Sequence, residues 1–203
     1  MKRISMTSVS LLASLSFLLS LSCSNATGSA SSPEEMNETL KTIFARTSVR
    51  SYTSTPISKD TLELLVKAGM ASPTAMNRQP WQFVIVTDKD SMASLSEKLP
   101  YAKMLKSATA AIVVAGNPEV SENNWMIDCS AVTENILLAA QSVGIGAVWT
   151  AVYPYPERID AVREAFGIPH PWIPLSLVPM GYPDKENMPK DKWKPENIHY
   201  NRW

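Results

Sequence analysis

The sequence is poor in the residues that mark several classes of protein. Two cysteines among 203 residues cannot form a multi-disulfide scaffold, and no cysteine–histidine cluster has the spacing of zinc ligands. The 19 basic and 19 acidic side chains balance to zero net charge, which leaves no basic surplus for nucleic-acid binding. The hydrophobic fraction of 45% is sufficient for a core. The sequence therefore predicts a globular protein that binds neither a structural metal nor nucleic acid.

The N-terminus has the pattern of an export signal. Lys2 and Arg3 precede an apolar stretch over residues 9–21, which is too short for a comfortable membrane-spanning helix. Cys23 follows in a context that resembles a bacterial lipoprotein cleavage site, although Ser20 stands where such sites normally have leucine. Both a lipidated Cys23 and an ordinary signal peptide with an incidental cysteine agree with this pattern.

The N-terminal export signal, called the leader below, determines the predicted domain boundaries. We expect a signal peptide at residues 1–23, a flexible linker of small polar residues at 24–33 and one folded domain at 34–203. This organisation predicts an exported, periplasmic or membrane-anchored lipoprotein, with a possible membrane tether through lipidated Cys23. In the alternative, the leader is not cleaved and the domain is cytoplasmic.

Helical and strand patterns alternate along the folded domain. Apolar periodicity and capping residues predict helices at 33–46, 58–72, 91–99, 125–143 and 156–166. Apolar runs predict strands at 81–87, 109–115, 147–152 and 173–180, followed by a polar tail at 182–203. Cys129 falls on the longest helix, where we expect a small buried hydrophobe and not a nucleophile. The order indicates an α+β sandwich around one mixed central sheet.

A short cationic segment follows the first predicted helix. Arg46, Ser48 and Arg50 are spaced two residues apart, so an extended chain would point their side chains the same way. Arginine offers planar, paired donors that match phosphate oxygens. The segment is a candidate anion site; the alternative is an exposed helix end whose arginines complement the helix dipole.

A polar loop between two prolines forms the second motif. Pro73 and Pro80 enclose it immediately before the strand that begins at Trp81. Asn77 and Gln79 carry amide donors and carbonyl acceptors that suit the edge of a heterocycle. The alternative is a turn that only orients Trp81 into the core.

A glycine-rich turn forms the third motif. Gly144 and Gly146 end the longest helix, ahead of Trp149 and Thr150. Small residues at such a turn let a flat ligand approach the backbone closely. The motif is not a dinucleotide fingerprint, because its glycines end a helix instead of opening one. A plain glycine helix stop is the alternative.

Taken in order, these motifs resemble the FMN-dependent nitroreductase family over residues 40–203. The family shows an Arg-x-Ser-x-Arg segment and then a Pro-Ser-Ala-x-Asn-x-Gln-Pro-Trp stretch, in which Thr74 here replaces the serine. A helix with Asp128 and Asn135 leads to the glycine-rich turn. Lys192 stands where the family commonly has arginine near the C-terminus, which keeps the charge but loses the bidentate geometry.

The resemblance implies a fold, a cofactor and an activity. It implies a three-layer α+β sandwich with a central mixed sheet flanked by helices, assembled as an intertwined homodimer with both sites at the interface. It implies FMN and a two-step (ping-pong) hydride transfer from NAD(P)H or another electron donor to nitroaromatic, quinone or similar small oxidised substrates. It designates no catalytic side chain and no metal.

The resemblance also implies roles for particular residues. Arg46, Ser48, Arg50 and Lys192 would hold the phosphate and ribityl chain of FMN. The polar loop would come from the other subunit to contact the flavin, and the glycine-rich turn would line its ring. The cofactor-binding residues implied are Arg46, Ser48, Arg50, Pro73, Thr74, Ala75, Asn77, Gln79, Gly146, Trp149, Thr150 and Lys192.

The export signal and the implied electron donor indicate different cellular locations. NADH and NADPH are cytoplasmic pools, so an exported enzyme would need another donor, such as a membrane electron carrier. A rival function is a surface or periplasmic lipoprotein that uses the fold as a binding module without redox turnover. The joint presence of Arg46, Ser48, Arg50, Asn77 and Lys192 favours the enzyme.

Overall fold

A computed structural model describes residues 36–203, so the predicted signal peptide, linker and first helix cap lie outside the described residues. The helices are α1 (Glu38–Ala45), α2 (Lys59–Met70), α3 (Lys89–Lys98), α4 (Trp125–Ser142) and α5 (Pro156–Phe166). The strands are β1 (Trp81–Val86), β2 (Ala110–Gly116), β3 (Gly146–Ala147), β4 (Thr150–Ala151) and β5 (Ile173–Gly181). Within this part of the chain, no helix is both long and apolar enough to cross a membrane.

The strands form one sheet in the order β1-β2-β5-β3, with β4 also paired to β5. In the described residues every pairing between these strands is antiparallel, and parallel pairing is confined to an isolated bridge between Ser48 and Ala147. The α+β class is confirmed, but the strands do not form the mixed sheet that was predicted. The connection through α3 brings the chain back to the same end of the sheet at which β1 ends. β2 therefore starts at that end and runs antiparallel to β1.

Helices cover both faces of the sheet, which gives the predicted three layers. Ile112 and Val114 of β2 pack in the core cluster under α2 and α4. Their neighbours Ala111 and Val113 point to the opposite face and pack with residues of α3 and α5. Every residue of β2 is buried, which explains why its sequence is apolar without alternation.

The strand predicted at 147–152 is interrupted. β3 and β4 pair with β5 in the same register. Val148, in the gap between them, lies opposite Pro179. The Val148 N–H donates to the Pro179 carbonyl at 3.2 Å, but proline has no N–H with which to return the bond. The interruption leaves Trp149 half-buried at the sheet edge.

Polar caps set the helix starts. The Ser58 side chain caps α2, as predicted. α3 begins two residues earlier than predicted, because the Asp88 carboxylate accepts a backbone N–H of its first turn at 2.6 Å. Asn37 caps α1, and residues 36 and 37 are not helical. The first helix is therefore not continuous with the predicted start at Pro33.

Cys129 is fully buried on α4, which confirms its predicted place in the core. Burial, and then the nearby Asp128 charge, raise the pKa of the Cys129 thiol to about 12. The thiol therefore stays protonated at neutral pH and is a poor nucleophile.

Candidate functional site

A cavity of about 1010 Å³ opens beside the end of α1. It is lined by Ile43, Phe44, Arg46, Thr47, Ser48, Arg50, Pro189, Lys190, Asp191, Lys192 and Trp193. We call residues 46–50 the cradle segment and residues 189–193 the tail wall. Together these walls place four cationic side chains against one carboxylate, so the cavity has a positive field suited to an anion.

The cradle segment is extended and attached to the sheet. The Val49 N–H donates to the Ala147 carbonyl at 3.1 Å. Val49 is buried, whereas Ser48 and Arg50 on either side of it are exposed. This alternation puts the two polar side chains on the cavity side, where the period-two spacing in the sequence predicted that they would converge.

Close backbone packing holds the cradle segment against β3. A Cβ atom added to Gly146 would lie 2.7 Å from Val49 Cγ1 and 2.8 Å from Val49 Cβ. Such distances are shorter than van der Waals contact allows. Gly146 thus has a packing function beneath the cradle, which sequence analysis did not predict; its implied contact with the flavin stays a prediction.

Tyr52 anchors the cradle segment to the sheet by hydrogen bonds. Its buried hydroxyl lies 2.6 Å from the Val49 carbonyl and 3.1 Å from the Pro179 carbonyl. Burial raises the pKa of the Tyr52 hydroxyl, against a smaller opposing effect of Arg50. Tyr52 therefore remains a neutral donor that ties the cradle segment to the sheet.

Arg46 is also held by a residue that sequence reasoning missed. Its Nε atom lies 3.2 Å from Oε1 of Glu134 on α4. The Arg46 side chain is 18% exposed and the Glu134 side chain 47%. The two residues are far apart in the sequence, and no local pattern connects them, so the pairing needs the tertiary structure.

The polar loop, residues 73–79, does not line the cavity. Its residues Met76, Asn77 and Gln79 have φ angles of 50°, 55° and 51°, in the left-handed region that non-glycine residues seldom adopt. Such a residue costs about 1–3 kcal/mol, and strained backbone of this kind clusters at functional sites. The loop conformation must therefore be stabilised by its surroundings.

Hydrogen bonds supply that stabilisation. The Gln79 N–H donates to Thr74 Oγ1 at 3.2 Å, and Gln79 Nε2 donates to Asn77 Oδ1 at 2.9 Å. The Ala75 N–H donates to the Asp128 carboxylate at 3.0 Å. Because Asp128 is buried on α4, it attaches the loop to the longest helix of the described chain.

The residues of the glycine-rich turn lie next to the cradle but do not line the cavity. Gly146 packs under the cradle, and Trp149 packs against the core cluster that contains α4. Thr150 is buried, and its hydroxyl has no hydrogen-bond partner among residues 36–203. A buried hydroxyl without a partner is costly, and the hydroxyl groups of Ser72 and Thr109 share this property in the described chain.

The cavity thus gathers Arg46, Ser48, Arg50 and Lys192, which the sequence proposed, and leaves the polar loop elsewhere in the same chain. Sequence reasoning missed the other tail-wall residues. The alternating charges of Lys190, Asp191 and Lys192 were a visible signal of an exposed segment, but only the family resemblance, through Lys192, placed that segment near the end of α1.

The three-layer sandwich and its cationic cavity define an α+β domain with a pocket whose charge suits an anion. The model of the nitroreductase family matches residues 43–99 and 89–182. An Archaeoglobus fulgidus protein, provisionally named NADH dehydrogenase/NAD(P)H nitroreductase, is 44% identical over 174 residues, covering 83% of this chain and 100% of that protein. The chain therefore belongs to the nitroreductase family of oxidoreductases.

Further similarities agree with this assignment. The solved structure of a Parabacteroides distasonis protein with the same provisional name is 48% identical and has a TM-score of 0.81. The match covers 83% of this chain and 100% of that one. The NADPH-flavin oxidoreductase of Vibrio harveyi is 27% identical, over 74% of this chain and 68% of that protein. The predicted nitroreductase-like fold is thereby confirmed.

Proposed function

We propose that the protein is an FMN-dependent oxidoreductase that reduces nitroaromatics, quinones or similar small oxidised substrates with NAD(P)H or another electron donor. The proposal rests on the convergence of Arg46, Ser48, Arg50 and Lys192 on one cavity. Two guanidinium groups, a hydroxyl and an ammonium group are suitable donors for a phosphate monoester. The names of similar proteins refer to NAD(P)H and, for several of them, to a flavin or to FMN.

The residues present fit the phosphate end of FMN. Four cations against one carboxylate leave enough positive charge for the doubly negative phosphate. The cavity volume of about 1010 Å³ lies at the upper end of the roughly 300–1,000 Å³ range of small-molecule sites. In this arrangement Arg46 and Arg50 hold phosphate oxygens, Ser48 donates its hydroxyl, and Lys192 adds a point charge.

The glycine-rich turn provides the surface for the flavin ring. Trp149 offers a half-buried indole next to the cradle segment, and Gly146 lets that segment pack closely against the turn. Bound FMN would supply the redox chemistry, accepting a hydride from the donor in one step and reducing the substrate in a second. The protein side chains bind and orient the participants.

The polar loop is assigned to the site of a second subunit in an intertwined homodimer. In its own chain this loop does not line the cavity, yet it maintains a strained and exposed backbone. Large apolar side chains are exposed on this loop, on α4 and on the tail, namely Met76, Ile127, Trp193, Tyr200 and Trp203. Soluble monomers seldom expose so much apolar surface, and a second copy would cover it.

The cellular location is part of the same proposal. The leader at residues 1–23 supports an exported or membrane-anchored protein with a lipid on Cys23. Fractionation of cells expressing the full chain and its Cys23→Ala variant tests this. We expect the full chain in the membrane fraction and the variant released from it, whereas a soluble cytoplasmic protein would contradict export.

An absorbance spectrum of the purified protein tests the activity. We expect flavin bands that bleach when NADPH or NADH is added without oxygen. Bands that persist would support the cofactor and redirect the search to another donor, as the export signal suggests. A colourless protein that cannot be reconstituted with FMN would contradict the proposal and favour a lipoprotein binding module.

A further inference from the structure

We propose that Glu134 is a positioning residue for the cradle segment. It fixes the guanidinium group of Arg46 so that the two terminal nitrogens, and not Nε, are presented to the bound anion. The inference rests on the proposed function, because the phosphate of FMN is the anion that Arg46 would hold.

The backbone and the side chain of Arg46 are held by different helices. The Arg46 N–H donates to the Thr42 carbonyl at 3.0 Å, where α1 ends. Its Nε atom lies 3.2 Å from Glu134 Oε1 on α4. Because α1 packs against α4, the side chain is fixed at both ends before any ligand binds.

The pairing of Nε with Glu134 determines which N–H donors of Arg46 remain for a ligand. Arginine has one N–H on Nε and four on its terminal nitrogens. With Nε paired to Glu134, the terminal nitrogens of Arg46 remain for the cavity that this residue lines. Two parallel N–H donors match two oxygens of a phosphate group, so the orientation of the group has a direct effect on affinity.

Arg46 differs in this respect from the other cations of the cavity. Its side chain is largely buried beside Glu134. Arg50 is exposed, and its Nη1 atom is 3.4 Å from the Ser48 carbonyl, a long hydrogen bond. Lys190 and Lys192 are exposed on the tail wall. Arg46 is therefore the cation with the most restricted geometry in the cradle.

The negative charge of Glu134 cannot attract an anionic ligand, so its effect on binding would come from the orientation of Arg46. A carboxylate next to a phosphate site weakens anion binding by Coulomb repulsion. Its presence is stabilising for the complex only if the orientation that it imposes outweighs this repulsion. An amide oxygen could provide the same orientation without the charge, and this difference makes the role testable.

The test compares Glu134→Ala and Glu134→Gln in titrations of the apoprotein with FMN and with riboflavin, which lacks the phosphate. Glu134→Ala should weaken FMN binding by about fivefold, the upper end for a partly exposed ion pair, and leave riboflavin binding unchanged. Glu134→Gln keeps an oxygen beside Arg46 Nε and removes the repelling charge, so it should bind FMN at least as tightly as the wild type and leave riboflavin binding unchanged. The matched controls are Glu63→Ala and Glu63→Gln, whose exposed carboxylate pairs with Lys59 at 3.5 Å; neither should change FMN binding.

Three results would overturn the inference. If both Glu134 variants bind FMN as the wild type does, or more tightly, the carboxylate has no positioning role. If FMN and riboflavin lose affinity equally, Glu134 supports only the fold. If the wild type itself does not prefer FMN to riboflavin, the proposed phosphate site is wrong and the inference fails with it. This failure is seen in the wild type, so it is distinguishable from a failure of the Glu134 role, which is seen only in the variants.

Discussion

The cradle segment and the polar loop present polar groups by different physical means. The cradle is regular extended chain, tied to β3 through Val49, and its alternation turns Ser48 and Arg50 to the cavity. The polar loop relies on three strained residues and on the buried carboxylate of Asp128. One chain completes the cradle, while its own polar loop stays outside the cavity. This separation is the physical reason for the two-subunit site that we propose.

The largest expected effect is on the cradle. Arg46→Ala should weaken FMN binding by at least about 10- to 150-fold, because the loss of a single charge-assisted hydrogen bond costs ~1.5–3 kcal/mol. Riboflavin binding should change little. Lys98→Ala, which removes an exposed partner of Glu164, is the control. Equal FMN affinity in wild type and Arg46→Ala, measured by fluorescence titration, would remove Arg46 from the phosphate site.

A change at the α4 residue that anchors the polar loop should act mainly on stability. Asp128→Ala leaves the Ala75 N–H without its acceptor and should lower the free energy of unfolding by about 1–3 kcal/mol. The ratio of FMN to riboflavin affinity, which reports on the cradle, should stay constant. Urea denaturation measures the first quantity. Asp160→Ala, at an exposed carboxylate of α5, should cost under about 0.5 kcal/mol; a similar loss in both variants would argue against the anchoring role of Asp128.

The cradle could be predicted from the sequence because its geometry is local. The spacing of Arg46, Ser48 and Arg50 fixes their common direction as soon as the chain is extended. The polar loop could be located by its prolines and amides, but its conformation could not. Met76 and Gln79 seldom adopt positive φ, and the hydrogen bonds that stabilise this conformation, within the loop and to Asp128 of α4, become visible only in the structure.

Other features depended on contacts between distant parts of the chain. The pairing of Glu134 with Arg46 joins two helices and leaves no trace in either local sequence. The interruption at Val148 depends on Pro179 in the partner strand. The direction of β2 depends on where the α3 connection ends, and an alternating order of helices and strands does not specify it.

Alkaline destabilisation should begin in the core at Cys129. Above pH 10 the buried Tyr52 beneath the cradle segment should add to it, because burial raises the pKa of its hydroxyl as well. The pKa of Cys129 is about 12 in the folded protein, against an ordinary value of 9.0. The stabilisation is therefore complete below pH 9 and is lost as the pH rises toward 12, because only the unfolded chain ionises there. The loss should approach ~1.4 kcal/mol per pH unit. Urea denaturation between pH 8 and 10.5 should show a shallower pH dependence for Cys129→Ala, and an unchanged slope would refute this assignment.

The smallest expected effect lies in the tail wall. Lys192→Ala should weaken FMN binding by up to about fivefold, since an exposed charge contributes ~0.2–1 kcal/mol. Lys192→Arg should retain or improve affinity, because a guanidinium group can bind two phosphate oxygens. Lys194→Ala, two residues further along the exposed tail, is the matched control. If Lys192→Ala had a larger effect than Arg46→Ala, the tail would be the main phosphate ligand and the contrast between ordered and exposed cations would be wrong.

Heterodimers with one Arg46→Ala subunit and one Asn77→Ala subunit test the two-subunit flavin site most directly. If the cradle and the polar loop meet across the interface, one site carries both substitutions and the other carries neither. Heterodimers purified with two tags should then reduce a nitroaromatic with NADPH at about half the wild-type rate, well above either variant homodimer. Heterodimers no more active than the average of the two homodimers would contradict a site shared between subunits.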